Sequence, residues 1–553
     1  MPTCSITAKD FKITPQEEAI MKKIAPTFDG KTFELPQPTL CPDERARQRT
    51  MHRNEQHLYR NKSFFSQNPV ISVYPISDKT TVVSKEEWFS EAWDSLDYGR
   101  DFDFTKNFFP QYYLMQCQVP RASTVTMNNE NCEYTTGTAF CKDCYLINSS
   151  EHCQNCSYSK LLQNARDVFD TSYAYDSELL YECFNVKKGY ECGWVYNSQN
   201  VTECWFCDDL RNCQNCFLCT NLVGKQFYFG NEKMSESDYR KKVEAIRNNP
   251  EHLAQAKAFF SELRKDRTAK YAEILNSENC TGDFISNSKN CQDCYDMSDS
   301  QDCRYVHVGV NIKDCVDCSN MYLKPELSYQ VLGTINTYNV HFSLYVFDSS
   351  DMWYCEQCYN SKNCFGCIGL RNKEYCIFNK QYNKESYESM VARIIAHMQK
   401  SAEWGQFFPA WMSPFFYNKS LAHEYFPLSK AEAENRNYRW EEESTTNYLP
   451  QDYIVPKDIK TVDDSVCQKI LACAVTGKNY RIQKNELKFY RTMRLIIPGK
   501  GPETRYAERM KLRNARHLCD RKCSECGVEV QSTFAKERPE KILCAKCYGE
   551  AVS

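Results

Sequence analysis

The chain has 553 residues, of which 33 are cysteine, and its formal net charge is −3 at pH 7. This length is too great for one ordinary core and predicts about three or four folded units. The near-neutral charge gives no overall reason to expect nucleic-acid binding, and no stretch of about 18 uncharged apolar residues predicts a membrane helix.

The first residues, Met1 to Ser5, lack the basic and then apolar order of a signal peptide. We therefore expect a cytoplasmic protein in a reducing environment. In such an environment structural disulfides are uncommon, and clustered cysteines more often bind metal. The odd number of cysteines also excludes complete internal pairing.

The two ends of the chain resemble each other. Residues 42–89 align without a gap with residues 502–549, at a shift of 460, and the stretch that begins at Cys4 matches the one that begins at Cys473. The N-terminal copy has no cysteine at the four positions that correspond to the C-terminal cysteines described below. Those positions hold Ser63, Ser66, Ser84 and Glu87. We therefore predict one ancestral module used twice, with a degenerate, metal-free copy at the N-terminus.

The body of the chain carries a regular cysteine pattern. Spacings of 9 and 12 residues recur, as between Cys183, Cys192, Cys204 and Cys213. Their sum of 21 predicts a solenoid with a period of 21 residues. Short turn-bounded segments such as Asn290-Cys-Gln-Asp-Cys-Tyr295 favour β-strands, because asparagine tolerates left-handed turns and aromatic residues suit pleated surfaces. The predicted fold is mainly β, a cysteine-rich parallel β-helix, with a string of small zinc knuckles as the alternative.

The cysteines of this body have two interpretations. Stacked coils would place them in inward-facing ladders, since free cysteine is among the most buried residue types. Alternatively, neighbouring pairs would bind further metal along one edge. The candidate ligands for that second interpretation are Cys141, Cys144, Cys153, Cys156, Cys204, Cys207, Cys213, Cys216, Cys291, Cys294, Cys315, Cys318, Cys355, Cys358, Cys364 and Cys367.

Other segments of the chain have their own signals. The body is itself doubled, because Cys216 and its neighbours recur 148 residues later at Cys364. Each half ends in a predicted helix, the second with an apolar stripe from Tyr387 to Met398. The predicted organisation is a degenerate module at 1–92, an aromatic cap for the first coil at 93–130, solenoid halves at 131–232 and 279–382, a helical insertion at 233–278, a helix at 383–402, an ordered connector at 403–465 and a C-terminal zinc-ribbon module at 466–553.

The C-terminal module carries the most specific motif. Cys523 and Cys526 are separated by seventeen residues from Cys544 and Cys547. Each pair can lie on a tight turn with both thiolates facing one point, and the interval permits a hairpin that brings the pairs together. A tetrahedral cage of four sulfurs is a preferred structural site for zinc. The motif therefore predicts a zinc ribbon, with zinc as the cofactor.

A basic stretch precedes this motif. Residues 478–547 contain 18 lysines and arginines against 8 acidic residues. Zinc ribbons with basic flanks commonly bind phosphate backbones, so this stretch predicts binding of RNA, DNA or the ribosome. The alternative is a protein partner. The candidate phosphate-binding residues are Arg505, Arg509, Lys511, Arg513, Arg516, Arg521 and Lys522.

With its ends and body in view, the chain resembles a family of uncharacterised cysteine-rich proteins with zinc-ribbon ends from uncultured small-genome bacteria. The matching stretches are Trp93-Asp-Ser-Leu-Asp-Tyr-Gly-Arg-Asp-Phe-Asp-Phe104, residues 363–375 and the terminal ribbon. The resemblance implies no activity. The chain departs from the pattern at the four N-terminal positions without cysteine, and at Gly501 and Thr504, where relatives often have further cysteines.

Two further classes of function stay open. Parallel β-helices include carbohydrate-active enzymes, and a cysteine-rich protein can serve as a metal or thiol store. The sequence shows no recurring acidic pattern, phosphate-binding loop or nucleophile elbow. We therefore expect a non-enzymatic, zinc-binding scaffold or interaction protein, with no membrane association. The sequence does not predict its oligomeric state.

Overall fold

The computed structural model describes residues 1–77, 79–265, 267–322, 326–442 and 448–552. Within these residues no helix combines the length and the apolar composition that crossing a membrane would require. The α-helices, in chain order, are α1 Pro15–Lys23, α2 Pro42–Thr50, α3 Lys85–Phe89, α4 Phe108–Gln118, α5 Glu236–Arg247, α6 Pro250–Leu263, α7 Lys384–Lys400, α8 Leu421–Tyr425, α9 Lys430–Asn435, α10 Lys484–Met493, α11 Pro502–Met510 and α12 Ala545–Val552.

Two large, mostly parallel sheets form the body of the protein. The first sheet contains Thr126–Met127, Thr136–Ala139, Asn148–Glu151, Lys160–Gln163, Arg166–Phe169, Ser172–Tyr175, Glu178–Tyr181, Phe184–Thr202, Trp205–Val223, Gln226–Phe229 and Glu232–Lys233. The second sheet contains Ile274–Leu275, Gly282–Ser286, Cys294–Ser298, His307–Val310, Lys313–Tyr322, Glu326–Ile335, Tyr338–His341, Leu344–Phe347, Ser350–Trp353, Lys362–Phe365, Glu374–Ile377 and Lys380–Gln381. The prediction of a mainly β protein is confirmed.

Small two-stranded sheets lie outside these two. Their strand pairs are Thr27–Phe28 with Lys31–Thr32, Tyr59–Lys62 with Pro69–Ser72, Val82–Val83 with Arg121–Ala122, Thr268–Lys270 with Lys541–Leu543, Leu471–Ala472 with Asn479–Tyr480, and Cys519–Lys522 with Glu529–Ser532. Short 3-10 helices cover Ser95–Tyr98, Ala410–Met412, Tyr417–Lys419, Ile459–Thr461 and Asp464–Gln468.

Neighbouring parallel strands are offset by 12 residues, so the predicted period of 21 is wrong. Lys160 pairs with Ser172, and Ser172 pairs in turn with Phe184. The same offset recurs in the second sheet, with an offset of 11 where Ile274 pairs with Ile285 and one of 13 where Lys313 pairs with Glu326. Spacings of 9 and 12 misled the sequence interpretation because both are multiples of a shorter, three-residue pattern.

Every third residue of the sheets adopts a left-handed backbone conformation. Asn155 and Asn164, for example, have φ angles of 52° and 50°. Asparagine and aspartate tolerate this conformation better than other residues, which explains why they so often stand directly before a cysteine. Their side chains also form ladders across adjacent strands, as where Asn164 donates to Asp176 at 2.9 Å. The predicted role of asparagine is confirmed.

The residue after each left-handed position points into a narrow interior filled with small side chains. In the first sheet this interior includes Cys156, Leu162 and Cys204, and the second sheet has an equivalent cluster. The Cys156 thiol donates to the carbonyl oxygen of Gln154 at 3.3 Å, and the Ser159 hydroxyl donates to that of Ser157 at 2.8 Å. At equivalent positions, cysteine and serine side chains therefore both donate a hydrogen bond to the backbone carbonyl two residues earlier in the chain.

The outer faces of the sheets are aromatic and carry the helices. The stripe of α7 packs against the second sheet through Tyr387, Val391 and Ile394, which are buried as predicted. Helices α5 and α6 pack on the first sheet. Helix α6 ends at Leu263, well before the end of the predicted helical insertion at residue 278, because the chain continues into the strand Thr268–Lys270.

The aromatic segment after the N-terminal module covers the second sheet, whereas the sequence predicted a cap for the first coil. Trp93 and Phe108 belong to the cluster that contains Phe365 and Phe378. The segment also forms hydrogen bonds with the end of this sheet, where Arg100 N–H donates to the Phe378 carbonyl at 3.1 Å. The order of the segments along the chain therefore did not predict which sheet the aromatic segment covers.

Candidate metal centre

A tight turn at residues 523–528 positions the first two C-terminal cysteines. The Cys523 N–H donates to the Val528 carbonyl at 2.9 Å, and the Gly527 N–H donates back to the Cys523 carbonyl at 3.0 Å. Gly527 has a φ of 74°, which glycine adopts at little cost. The Ser524 N–H then donates to the Ile542 carbonyl at 2.8 Å, and this hydrogen bond places the start of α12 beside the turn.

This arrangement collects the four predicted thiols at one point. The sulfur atoms of Cys523, Cys526, Cys544 and Cys547 all lie within 4.8 Å of one another. The sulfurs of Cys526 and Cys544 lie 3.8 Å apart. A tetrahedral zinc ion with Zn–S bonds of about 2.3 Å would separate its sulfurs by about 3.8 Å. The four cysteines therefore fit a metal ion of this size.

The electrostatics of the group suit metal binding. Burial alone would raise the pKa of the Cys523 thiol, but backbone hydrogen bonds from Cys526 and Cys544 lower it to about 6. The neighbouring thiols of Cys544 and Cys526 raise the pKa of Cys547 to about 12. Thiols in contact cannot all ionise unless a cation joins them, because the thiolates repel one another. A divalent cation would remove this repulsion.

Among the residues described, the same turn occurs at four places, which we call the knuckle turns: 4–9, 63–68, 473–478 and 523–528. In each, the first N–H donates to the sixth carbonyl, and the fifth N–H, on a residue with positive φ, donates to the first carbonyl. The N–H of the second residue of each turn then donates to a backbone carbonyl two residues before the N-cap of a helix. These contacts are Ser5 to Thr39, Phe64 to Val82, Ala474 to Gly499 and Ser524 to Ile542, at 2.8–3.0 Å.

At the second knuckle turn a carboxylate stands where the cysteine cluster would be. The Ser63 hydroxyl donates to Glu87, and the backbone N–H groups of Ser66 and Ser84 donate to the same carboxylate at 3.1 and 3.2 Å. Burial alone would raise the pKa of the Glu87 carboxyl, but these hydrogen bonds lower it below its ordinary value. Hydrogen bonds thus replace the metal ligands that the sequence showed to be missing.

The two terminal modules share their strand register. Tyr59 pairs with Ser72 in the N-terminal hairpin, and Cys519 pairs with Ser532 in the C-terminal one, which is the same pairing at the shift of 460. Helices α2 and α11 also begin and end at equivalent residues. The structure therefore agrees with the duplication inferred from the sequence.

The first and third knuckle turns keep only part of a cysteine set. At the first, Cys4 and Cys41 remain, and burial together with the neighbouring Cys4 thiol raises the pKa of Cys41. At the third, Cys473 lies 3.3 Å from the Thr504 hydroxyl. Hydrogen bonds lower the pKa of Cys4 to about 7 and that of Cys473 to about 6, although burial acts in the opposite direction. Sequence reasoning aligned Cys4 with Cys473 but did not identify these turns, for which the signal was the recurring Cys-x-x-Thr.

The basic stretch does not form the exposed phosphate-binding surface that the sequence predicted. Arg505 and Arg509 are 2% and 1% exposed, and each donates to buried Asp170 of the first sheet at 3.0 Å. Arg513 and Arg516 donate to Asp296 of the second sheet at 3.2 and 2.5 Å. These four arginines therefore do not form the exposed surface that was predicted, because their side chains meet carboxylates of the sheets and not solvent.

The other basic candidates differ from one another. The Arg521 guanidinium donates to the carbonyl of Phe534 at 3.2 Å and is half-buried. Lys511 and Lys522 are exposed. Only these two lysines of the predicted set therefore present their charge freely to solvent among the described residues.

The sixteen cysteines proposed as further ligands lie in the sheets and form no comparable group. Within the described part of the chain, the C-terminal four cysteines are the only cluster of three or more Cys, His, Asp or Glu with converging ligand atoms. The thiols in the sheets instead donate to carbonyl groups, as Cys204 does to Thr202 at 3.4 Å. The packing interpretation is therefore favoured over the metal interpretation.

No protein-family model matches the chain, and comparison with curated proteins finds no similar sequence. The resemblance to cysteine-rich bacterial proteins with zinc-ribbon ends therefore stays a prediction. Any account of function rests on the geometry described above.

Proposed function

We propose that this protein is a non-enzymatic scaffold in which a C-terminal zinc ribbon fastens two parallel β-helices to each other. The single observation that carries the proposal is the convergence of four cysteine sulfurs within 4.8 Å. The 12-residue offset shared by both sheets supports a β-helix with 12 residues per coil. The prediction of a β-helix is retained with this shorter coil.

Zinc is the metal that this ligand set favours. Four thiolates at tetrahedral distances suit zinc, and they leave no open position for a water molecule or substrate. A closed site of this kind is structural and not catalytic. Iron would also accept four thiolates, so elemental analysis decides between the two metals.

The metal would hold the C-terminal module in contact with the rest of the chain. Cys544 and Cys547 lie between the strand Lys541–Leu543, which pairs with Thr268–Lys270, and Tyr548, which donates to Asp209 of the first sheet. Losing the metal would release both contacts together. Zinc binding therefore supports the scaffold as well as the small module.

The scaffold proposal also accounts for the basic stretch. Arg505 and Arg509 bind Asp170 in one sheet, and Arg513 and Arg516 bind Asp296 in the other, so the charge of these four arginines is used within the molecule. Binding of RNA, DNA or a ribosome stays a prediction that now rests on Lys511 and Lys522. A protein partner fits a rigid scaffold equally well, and neither partner is identified by a specific contact surface.

An enzymatic role has less support. An open groove of about 460 Å³ lies between α1 and the second sheet, and its lining includes Lys23, Asp302 and Asp314. Lys23 and Asp314 form an ion pair at 2.7 Å. This groove therefore does not present the pair of free carboxylates that glycoside hydrolysis uses.

Elemental analysis of protein purified without added metal tests the proposal. We expect one zinc per chain in the wild type, its loss in Cys526→Ser, and retention in Cys519→Ser, which removes a nearby cysteine outside the group. Structural zinc contributes about 10 kcal/mol or more to modules of this kind. Residues 505–553 of the Cys526→Ser variant should therefore become sensitive to protease. Equal metal content in both variants would refute the zinc-ribbon assignment.

Gel-shift titration of the full-length protein tests the nucleic-acid prediction separately. Phosphate contacts make affinity fall steeply with salt. If nucleic acid binds at about 50 mM salt and Lys511→Gln with Lys522→Gln weakens it, the two lysines carry the interaction. Absence of binding at that salt concentration would rule out this role and leave the scaffold proposal intact.

A further inference from the structure

We propose that Cys4 and Cys41 form a second metal site, which holds one soft monovalent ion of the Cu(I) class between two thiolates. This site is independent of the C-terminal cysteines and of the scaffold proposal. It lies at the first knuckle turn, in the N-terminal module.

The geometry follows from the equivalence of the knuckle turns. Cys4 opens its turn as Cys523 does, and its N–H donates to the Lys9 carbonyl at 2.8 Å. Cys41 directly precedes α2, as Cys544 directly precedes α12. The sulfurs of Cys523 and Cys544 converge at these positions. The equivalent backbone therefore places Cys4 and Cys41 side by side, and each affects the pKa of the other.

The two remaining positions do not supply ligands. Thr7 stands at the second position, and Glu44 stands at the fourth. The Glu44 carboxylate is turned away into an ion pair, in which Arg436 donates to both of its oxygens at 3.1 and 3.2 Å. Two sulfurs alone do not complete a zinc site, which needs four ligands. A pair of thiolates does suit linear coordination, which Cu(I) accepts, and soft sulfur ligands select this ion.

The surroundings shelter one thiol of the pair and leave the other accessible. Burial would raise the pKa of Cys4, but backbone hydrogen bonds, among them one from Cys41, lower it to about 7, whereas burial raises the pKa of Cys41 above its ordinary value. Cys4 is 1% exposed and Cys41 is half-buried, much as Cys523 and Cys544 are. One sulfur is thus sheltered while the other gives an ion access from solvent.

Anaerobic titration with Cu(I) buffered by bathocuproine disulfonate tests the proposal, using full-length protein already loaded with zinc. The absorbance of the chelator reports the copper that it loses. We expect the wild type to take up one Cu(I) more per chain than Cys4→Ser or Cys41→Ser. The matched control is Cys473→Ser, which alters the third knuckle turn, where Gly501 replaces the second cysteine, and should take up as much as the wild type.

The Cys41→Ser variant keeps the test valid if Cys4→Ser does not fold. Cys41 is the N-cap residue of α2 with an extended backbone, a position at which serine is favoured. Cysteines elsewhere that bind copper do so equally in all variants, so they cancel in the difference. Equal uptake by the wild type and Cys41→Ser would overturn the proposal, whether that uptake is zero or several ions. An absorption-edge spectrum of the extra copper that shows more than two sulfurs would also overturn it.

Discussion

Asp170 and Asp317 occupy equivalent places in the two sheets, and each binds two arginines from one helix of a terminal module. Helix α11 supplies Arg505 and Arg509 to Asp170, and helix α2 supplies Arg45 and Arg49 to Asp317 at 2.5 and 3.3 Å. Through these two helices the N-terminal module binds the second sheet and the C-terminal module binds the first. Arg513 and Arg516 also join the C-terminal module to Asp296 of the second sheet.

Substituting Asp170 should destabilise the whole protein. In Asp170→Asn two buried guanidinium groups lose their shared charged partner, and such losses cost about 3–5 kcal/mol. Denaturant unfolding followed by tryptophan fluorescence measures this cost, and Asp317→Asn should match it. Asp299→Asn provides the control, because that aspartate is exposed on the second sheet. A loss below about 1 kcal/mol in Asp170→Asn would contradict the structural role assigned to this ion pair.

Restoring cysteines to the N-terminal module should create a second zinc site. The quadruple variant carries Ser63→Cys, Ser66→Cys, Ser84→Cys and Glu87→Cys. It places two thiols on the second knuckle turn, whose backbone matches that of the C-terminal group, and two at the start of α3. We expect its zinc content to rise from one to two per chain. The triple variant that retains Glu87 is the control, and it should hold the second zinc more weakly. An unchanged zinc content in the quadruple variant would show that the two modules are not equivalent.

Cysteines inside the sheets should tolerate serine without loss of metal. Cys204 is fully buried and donates to the Thr202 carbonyl, and the serine at 198 makes the equivalent bond to Tyr196 at 2.7 Å. In Cys204→Ser we expect unchanged zinc content and a loss of about 1 kcal/mol in the free energy of unfolding. Cys204→Leu should cost about 1–3 kcal/mol, because Cys204 is fully buried and a larger side chain overpacks a filled core. Loss of metal from the serine variant would revive the metal interpretation of these cysteines.

The protein should lose stability as the pH falls below 6.5, in part because of His341. This side chain is fully buried, and burial lowers its pKa to about 3. The unfolded chain therefore binds a proton below pH 6.5 that the folded protein does not bind until about pH 3. The stability contributed by the neutral imidazole is complete above pH 6.5 and is lost progressively toward pH 3.

Replacing His341 with glutamine should flatten this dependence. One proton corresponds to a slope of at most about 1.4 kcal/mol per pH unit. Denaturant titrations of the wild type and His341→Gln between pH 4 and pH 7 measure the difference. The control is His152→Gln, which changes an exposed histidine of the first sheet. Parallel curves for the wild type and His341→Gln would show that His341 makes no such contribution.

Several features could be predicted from local sequence. The spacing of Cys523, Cys526, Cys544 and Cys547 identified the group whose sulfurs converge, because two closely spaced cysteine pairs joined by a short segment have few ways to place four thiols. The second pair lies at the start of α12 and not on the predicted tight turn. The 460-residue shift identified two modules with one strand register. Asparagine and aspartate before cysteine indicated left-handed turns, since the preference of these side chains for that conformation is local.

The tertiary structure alone decided the offset between neighbouring strands, the partners of the arginines and the surroundings of the sheet cysteines. A three-residue pattern is compatible with cysteine spacings of 9 and of 12, so only strand pairing distinguishes an offset of 12 from one of 21. The spacing of Arg505 and Arg509 places both on one helix face, but whether that face meets solvent or Asp170 depends on residues more than 300 positions away. Ion pairing and burial are properties of contacts between distant segments, and local sequence does not specify those contacts.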